Sequence, residues 1–212
     1  MTSGEIPVYG KVPPTTFIDT SGEEFSTTDL EGNVWALSLI FTHCAASCPR
    51  MTSQFARFQE MVTDPNIHLV SISVDPARDT PERMKEYADL AGADLSRWHF
   101  LTGDLNTVVD LAENHLKIGS GQANEDLSSH PSDASPEAQL EETMDEFMAD
   151  EWEAIDTPPK MGGDVQTGDY QILHSDRFVL IDQQGRIRGY YAGLEDEGLE
   201  NLKRDALRLA SE

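Results

Sequence analysis

The sequence predicts an α/β domain built on a mixed sheet with helices on both faces. Three observations predict it. The apolar run Val34–Phe41, broken only by Ser38, and the segment Ile67–Val74 both read as strands buried on two faces. Helix-period segments alternate with them along the chain. Late in the chain, Phe178–Ile181 and Arg186–Tyr191 flank Asp182-Gln183-Gln184-Gly185, a hairpin signal. The implied order is two strands, a third strand, then helix, strand, helix, strand, helix, an insertion, two strands and a last helix, which is a layered α/β arrangement.

Each element has its own justification. Residues 15–19 and Glu24-Phe25-Ser26 bracket the turn Thr20-Ser21-Gly22 and read as an N-terminal hairpin. From Pro49 to Val62, apolar residues at Met51, Phe55, Phe58, Met61 and Val62 follow a helical period. Thr80-Pro81-Glu82 opens the next helix with a capping hydroxyl, a proline in the first turn and an acid near the positive end of the dipole, and Gly92 stops it. Trp98–Leu101 is a short strand, and the turn Thr102-Gly103-Asp104 leads into a helix over Leu105–Leu116. The last helix runs from about Glu197 to Leu209.

Charge divides the chain. Its 212 residues carry a formal net charge of −24. Between Gly119 and Asp169 there are 14 acidic residues and one basic, Lys160, so this quarter of the length holds −13 of the total. Breaker residues bound it, Gly119-Ser120-Gly121 at one end and Pro158-Pro159 with Gly162-Gly163 at the other. Within it, Pro136–Ile155 is compatible with an acidic helix carrying Leu140, Met144, Phe147, Met148 and Trp152. The segment 119–169 therefore reads as an acidic insertion into a single domain spanning 1–212. Met144 and Met148 at that spacing are better read as an apolar face than as metal ligands, and Met161 stands apart from them. The charge disfavours nucleic acid and anionic membranes as partners, because both present a field of the same sign. No run approaches the roughly 20 apolar residues that cross a bilayer. The first residues lack the basic and apolar regions of a signal peptide. Either the chain needs no leader or anchor, or one was removed.

The only two cysteines, Cys44 and Cys48, lie four apart between the buried strand Val34–Phe41 and the helix that follows. Ligands of open α/β sheets bind outside the carboxyl ends of strands, and these residues sit there. A helix N-terminus lowers the pKa of a thiol placed on it. On one helical turn the two sulfurs share a face, where they can hold one soft ion or pair with each other. A structural disulfide or two inert buried thiols are the plainer alternatives. Of six histidines, His43 adjoins Cys44, but neighbours on an extended strand end point apart. His68 and His99 fall within strand patterns, His115 on a helix and His130 in the insertion. His174 ends Tyr170-Gln171-Ile172-Leu173 and leads through Ser175-Asp176 into a strand, a loop able to bring an imidazole over the cysteines.

Three separated stretches resemble one family. Phe41-Thr42-His43-Cys44-Ala45-Ala46-Ser47-Cys48-Pro49 is similar to the Cys-x-x-x-Cys-Pro loop of the SCO/SenC family of copper-binding, thioredoxin-like proteins. Val70–Val74 followed by Asp75-Pro76-Ala77-Arg78-Asp79-Thr80-Pro81 resembles its strand and Asp-Pro-x-x-Asp-Thr-Pro turn. Leu173–Asp182 with Gly185–Tyr191 resembles its histidine loop and last hairpin. The resemblance covers nearly everything except the insertion. It implies a thioredoxin-like fold and a copper ion held by Cys44, Cys48 and His174. It also implies delivery to the dinuclear copper centre of cytochrome c oxidase, or to another copper protein, on the extracytoplasmic side of a membrane. Asp75 matches an acidic position near the family's site, where it serves either the site or the turn.

The chain departs from the family in its long acidic insertion, in Ala45-Ala46 after the first cysteine, and in lacking the usual membrane anchor. A thiol–disulfide oxidoreductase acting on the target's copper-site cysteines is the main alternative function. Against it, the spacing is not Cys-x-x-Cys, and His174-Ser175-Asp176 stand where thioredoxins carry a proline. A peroxidase would need a proline ahead of Cys44 that is absent. A scaffold binding a basic partner through the insertion is the non-catalytic reading.

Overall fold

A run of seven residues buried at every position, Val34–Ile40, forms the centre of the sheet in the computed structural model, which describes residues 5–44, 47–118 and 175–212. In chain order the strands are β1 (Gly10–Lys11), β2 (Thr16–Ile18), β3 (Glu24–Ser26), β4 (Val34–Ile40), β5 (Ile67–Ser73), β6 (Trp98–Leu101), β7 (Arg177–Ile181) and β8 (Arg186–Ala192). The helices are α1 (Ser47–Met61), α2 (Pro81–Leu90), α3 (Leu105–Asp110) and α4 (Asp196–Ala210). Six strands make one sheet in the order β1-β8-β7-β4-β5-β6, and β2 pairs with β3 apart from it. The β4–β5 and β5–β6 pairs are parallel, while β4–β7, β7–β8 and β8–β1 are antiparallel. The sheet is therefore mixed, as expected for a thioredoxin-like domain.

Each face of β4 has its own cover. Trp35, Leu37 and Leu39 join Val70, Ile72, Leu101, Val179 and Ile181 in one cluster with Val108 and Leu111 from the α3 side. On the opposite face, Phe55 of α1 lies 4.4 Å from Phe178 and 5.7 Å from Trp98, ring centre to ring centre. The Trp98 indole donates to Ser71 Oγ at 3.0 Å, and Ser71 bonds Ser38 at 3.1 Å, so the buried hydroxyls of that face are satisfied. Helix α4 packs against β4, β7 and β8, and α2 against β6.

Local chemistry sets the ends of these elements. Thr80 caps α2, accepting from the Arg83 amide at 3.3 Å, with Pro81 at the first position, as its sequence predicts. Asp104 caps α3 through the Thr107 amide at 2.9 Å. In the β7–β8 turn, Asp182 accepts from the amides of Gln184 and Arg186, and Gly185 takes φ 73°, a conformation that suits glycine.

Three features differ from the sequence reading. The helix expected over 105–116 is α-helical only to Asp110 and continues as a π turn over Leu111–His115. There the Leu116 amide bonds Leu111 O at 2.8 Å, and the wider turn lets Leu111, Ala112 and Leu116 all face the core. The edge strand β1 was not expected, since two residues carry no periodicity. A 3₁₀ turn over Thr27–Leu30, buried through Leu30, was also not expected, although Ser26 and Asp29 form the capping box that starts it. The described residues all belong to one compact unit. The insertion 119–169, with its expected acidic helix, His130 and the methionines 144, 148 and 161, lies outside the described residues.

His68 and His99 share a hydrogen bond of 3.0 Å between Nδ1 and Nε2 where Phe25 of the hairpin covers His99. Burial, with His68 beside it, pushes the His99 imidazole down to about 4, against the opposing pull of Asp19 and Asp29. The folded state thus binds fewer protons than the unfolded chain, whose histidines titrate near 6.5. Stability should fall as pH drops from about 6.5 towards 4. Comparing urea midpoints at pH 7 and 4.5, wild type should lose about 2 kcal/mol more than His99→Gln. Equal losses would show that the pair is not the acid-sensitive element.

Candidate metal centre

Parallel pairing of β4 with β5 places their carboxyl ends side by side, and the Val74 amide bonds Ile40 O at 2.8 Å just beyond both strands. The loop 41–46 leaves β4 there and enters α1 at Ser47, so Cys48 stands in the first turn of that helix. Cys44 is 6% exposed and Cys48 4%, and both join the apolar cluster that holds Leu39, Phe41 and Val74. Neither forms a disulfide, and they are hydrogen-bonding neighbours. Thr52, one turn beyond Cys48, bonds the Tyr87 hydroxyl at 2.8 Å and ties α1 to α2 beneath the cysteines.

The helix N-terminus was expected to lower the thiol pKa, and for Cys48 the opposite holds. Burial pushes its thiol up to about 12, with Cys44 and the Asp79 carboxylate adding to the shift, while a backbone bond at Phe41 only partly offsets them. Desolvation by the surrounding apolar side chains outweighs the dipole. With the Cys48 thiol held up, the buried sulfur pair suits capture of a soft cation better than attack by Cys48 as a free thiolate.

An acidic residue does organise the loop, and it is Asp79. Its buried carboxylate accepts from the Thr42 hydroxyl at 2.6 Å, the Thr42 amide at 3.2 Å and the Ser73 hydroxyl at 2.5 Å. Ser73 ends β5 and Thr42 follows β4, so one side chain fastens the cysteine loop to the neighbouring β5–α2 turn. Asp75, also fully buried, pairs with Arg78 of its own turn, and its carbonyl accepts the amides of Arg78 and Asp79 at 3.0 Å. The roles of Asp79, Thr42 and Ser73 were missed in the sequence, although Thr42 and Asp79 lie inside the quoted motifs. The signal was there, but nothing local says that residues 37 apart share a hydrogen bond.

The structure brings Cys44 and Cys48 together. His174 lies outside the described residues, as do Ala45 and Ala46. Among the described residues, no group of three or more His, Cys, Asp or Glu side chains converges as a metal site.

Comparison with known proteins fits this architecture. The SCO1/SenC family model matches residues 9–134. The SCO1 protein homolog of Bacillus subtilis is 25% identical over 201 residues, covering 94% of this chain and 82% of that one. A SCO1/SenC family lipoprotein from Bacillus anthracis superposes with a TM-score of 0.69 at 26% identity, over 96% of this chain and 97% of its own. Bradyrhizobium japonicum ScoI, solved with copper bound, shares the fold with a TM-score of 0.61 at 19% identity, over 94% of this chain and 99% of its own. From the family match over more than half of its length and the shared fold, the chain belongs to the SCO1/SenC family.

Proposed function

We propose that this chain is a copper metallochaperone. It takes Cu(I) or Cu(II) on the sulfurs of Cys44 and Cys48 and the imidazole of His174, and passes the ion to the dinuclear copper centre of cytochrome c oxidase. The observation that carries this reading is the pair of adjacent, non-disulfide cysteines at the carboxyl end of the central strand in a chain of this family. Two soft sulfurs select copper over hard cations, and an imidazole as third donor suits both oxidation states. The antiparallel register of β7 with β4 supports His174 as that donor. It carries Arg177, the first residue of β7, to the carboxyl end of β4, and His174 precedes Arg177 by three residues in sequence. The copper bound by Bradyrhizobium ScoI and the lipoprotein nature of the Bacillus anthracis relative support the cargo and an anchored, extracytoplasmic setting. Thiol–disulfide exchange is the weaker reading, because a thiol pushed up to about 12 offers little thiolate at neutral pH.

Anaerobic copper titration of the reduced chain should show one ion per molecule. Cys44→Ala, Cys48→Ala and His174→Ala should each abolish stoichiometric binding. An unchanged affinity and spectrum in His174→Ala would remove the histidine from the ligand set. The segment 119–169 acts, on this proposal, as an insertion separable from metal binding, so deleting 120–168 should leave the titration intact.

A further inference from the structure

Copper that moves between two proteins by ligand exchange must meet an accessible donor before it meets buried ones. Cys44 and Cys48 are almost fully covered, as are Phe41 and Thr42. Among the described residues of this stretch, His43 is the exposed one, its side chain 40% accessible.

Neighbouring atoms fix which nitrogen of His43 is free. The Thr42 hydroxyl donates its only proton to Asp79 Oδ1 at 2.6 Å. Its oxygen can then only accept from its other two neighbours, Arg83 Nε at 3.4 Å and His43 Nδ1 at 3.2 Å. Nδ1 therefore carries the proton of the imidazole, with Asp79 Oδ1 a further 3.8 Å away. In the neutral ring the lone pair is left on Nε2. A carboxylate and hydroxyl behind one ring nitrogen, with no hydrogen bond to the other among the described residues, is the arrangement that orients metal-binding histidines.

We infer that His43 Nε2 is a surface transfer ligand, the first atom of this chain to take Cu(I) from an incoming carrier and the last to release it to an acceptor. This rests on the copper-chaperone reading above. In the uptake step a Cu–N bond forms at Nε2 as one carrier–copper bond breaks. The sulfurs of Cys44 and Cys48 then displace Nε2 and the remaining carrier bonds, and their two protons leave to solvent. The copper stays Cu(I) throughout. Two thiolates hold Cu(I) more strongly than one imidazole. His43 therefore governs rate and contributes little to the final affinity.

Stopped-flow uptake from the coloured Cu(I)–bicinchoninate complex into the reduced chain tests this, with wild type, His43→Ala and His43→Met. His43→Ala should slow uptake about tenfold or more. Its final copper occupancy at equilibrium should stay within about twofold of wild type, as expected for a side chain outside the resident ligand set. His43→Met, which restores a soft donor on the surface, should recover most of the rate. Wild-type rates in His43→Ala would overturn the inference and leave the chaperone reading standing. A His43→Met rate as slow as that of His43→Ala, or an affinity falling in step with the rate, would also overturn it. Failure of wild type to take up copper would instead refute the chaperone reading itself.

Discussion

Asp182→Ala is expected to destabilise the fold by about 3–5 kcal/mol, the cost of leaving a buried guanidinium without its counter-ion. The Asp182 carboxylate accepts from Arg188 Nη1 at 2.7 Å and Arg186 Nε at 2.8 Å, and the Arg188 side chain is buried with it. Arg188 also donates through Nε to Pro7 O at 3.1 Å and through Nη2 to Ile6 O at 2.7 Å, holding the N-terminal segment against β8. One carboxylate thus closes the β7–β8 turn and secures the edge of the sheet. A fall of about 1–2 M in the urea midpoint with an unchanged slope would express this loss. A loss under about 1 kcal/mol would mean that water reaches Arg188 in the variant. The same group predicts an acid limb. Burial opposes ionisation of Asp182, yet the bonds from Arg188 and Arg186 outweigh it and hold the carboxyl below its ordinary value. This stabilisation is present above the unfolded value near 3.8 and is lost as pH falls through the lower folded one.

What the sequence disclosed follows from how local each signal is. Strand β4 was legible because burial on both faces leaves an apolar run that needs no partner to recognise. Helix α2 was legible from Thr80-Pro81-Glu82, where capping is a contact between residues three apart. The cysteine pair stood out by spacing and position together. Strand β1 was hidden because its existence depends on Arg186 and Ile187, some 176 positions away. The π turn at Leu111–His115 was hidden because a helical period does not reveal which residues tertiary packing will turn inward. The Cys48 thiol shows the same limit in chemistry. Reading the helix N-terminus gave the sign of one local effect, and the apolar cluster, invisible until the chain folds, reversed it. Asp75 and Asp79 stand four apart in one motif, and only the meeting of two strand ends distinguishes the residue that pairs within its turn from the one that grips the cysteine loop.

That grip has the second large consequence. Asp79→Ala should cost about 3 kcal/mol, because it strands the Thr42 amide, the Thr42 hydroxyl and the Ser73 hydroxyl without their buried acceptor. The damage should be local in its dynamics. In hydrogen exchange, the Thr42 amide and its neighbours in the loop should lose protection, while core amides of β4 and β5 fall only by the global loss. Asp79→Asn keeps the shape but offers one acceptor oxygen in place of two. Its NH₂ then faces donors already in place, so it should recover only part of the stability. Freed from Asp79, the Thr42 hydroxyl no longer has to accept from His43, and either ring nitrogen of His43 becomes free to carry the proton. Copper uptake in Asp79→Ala should therefore slow together with that of His43→Ala, and the double variant should be no slower than His43→Ala alone. Independent, multiplying effects on uptake would separate the two residues and leave Asp79 as an anchor of the loop only.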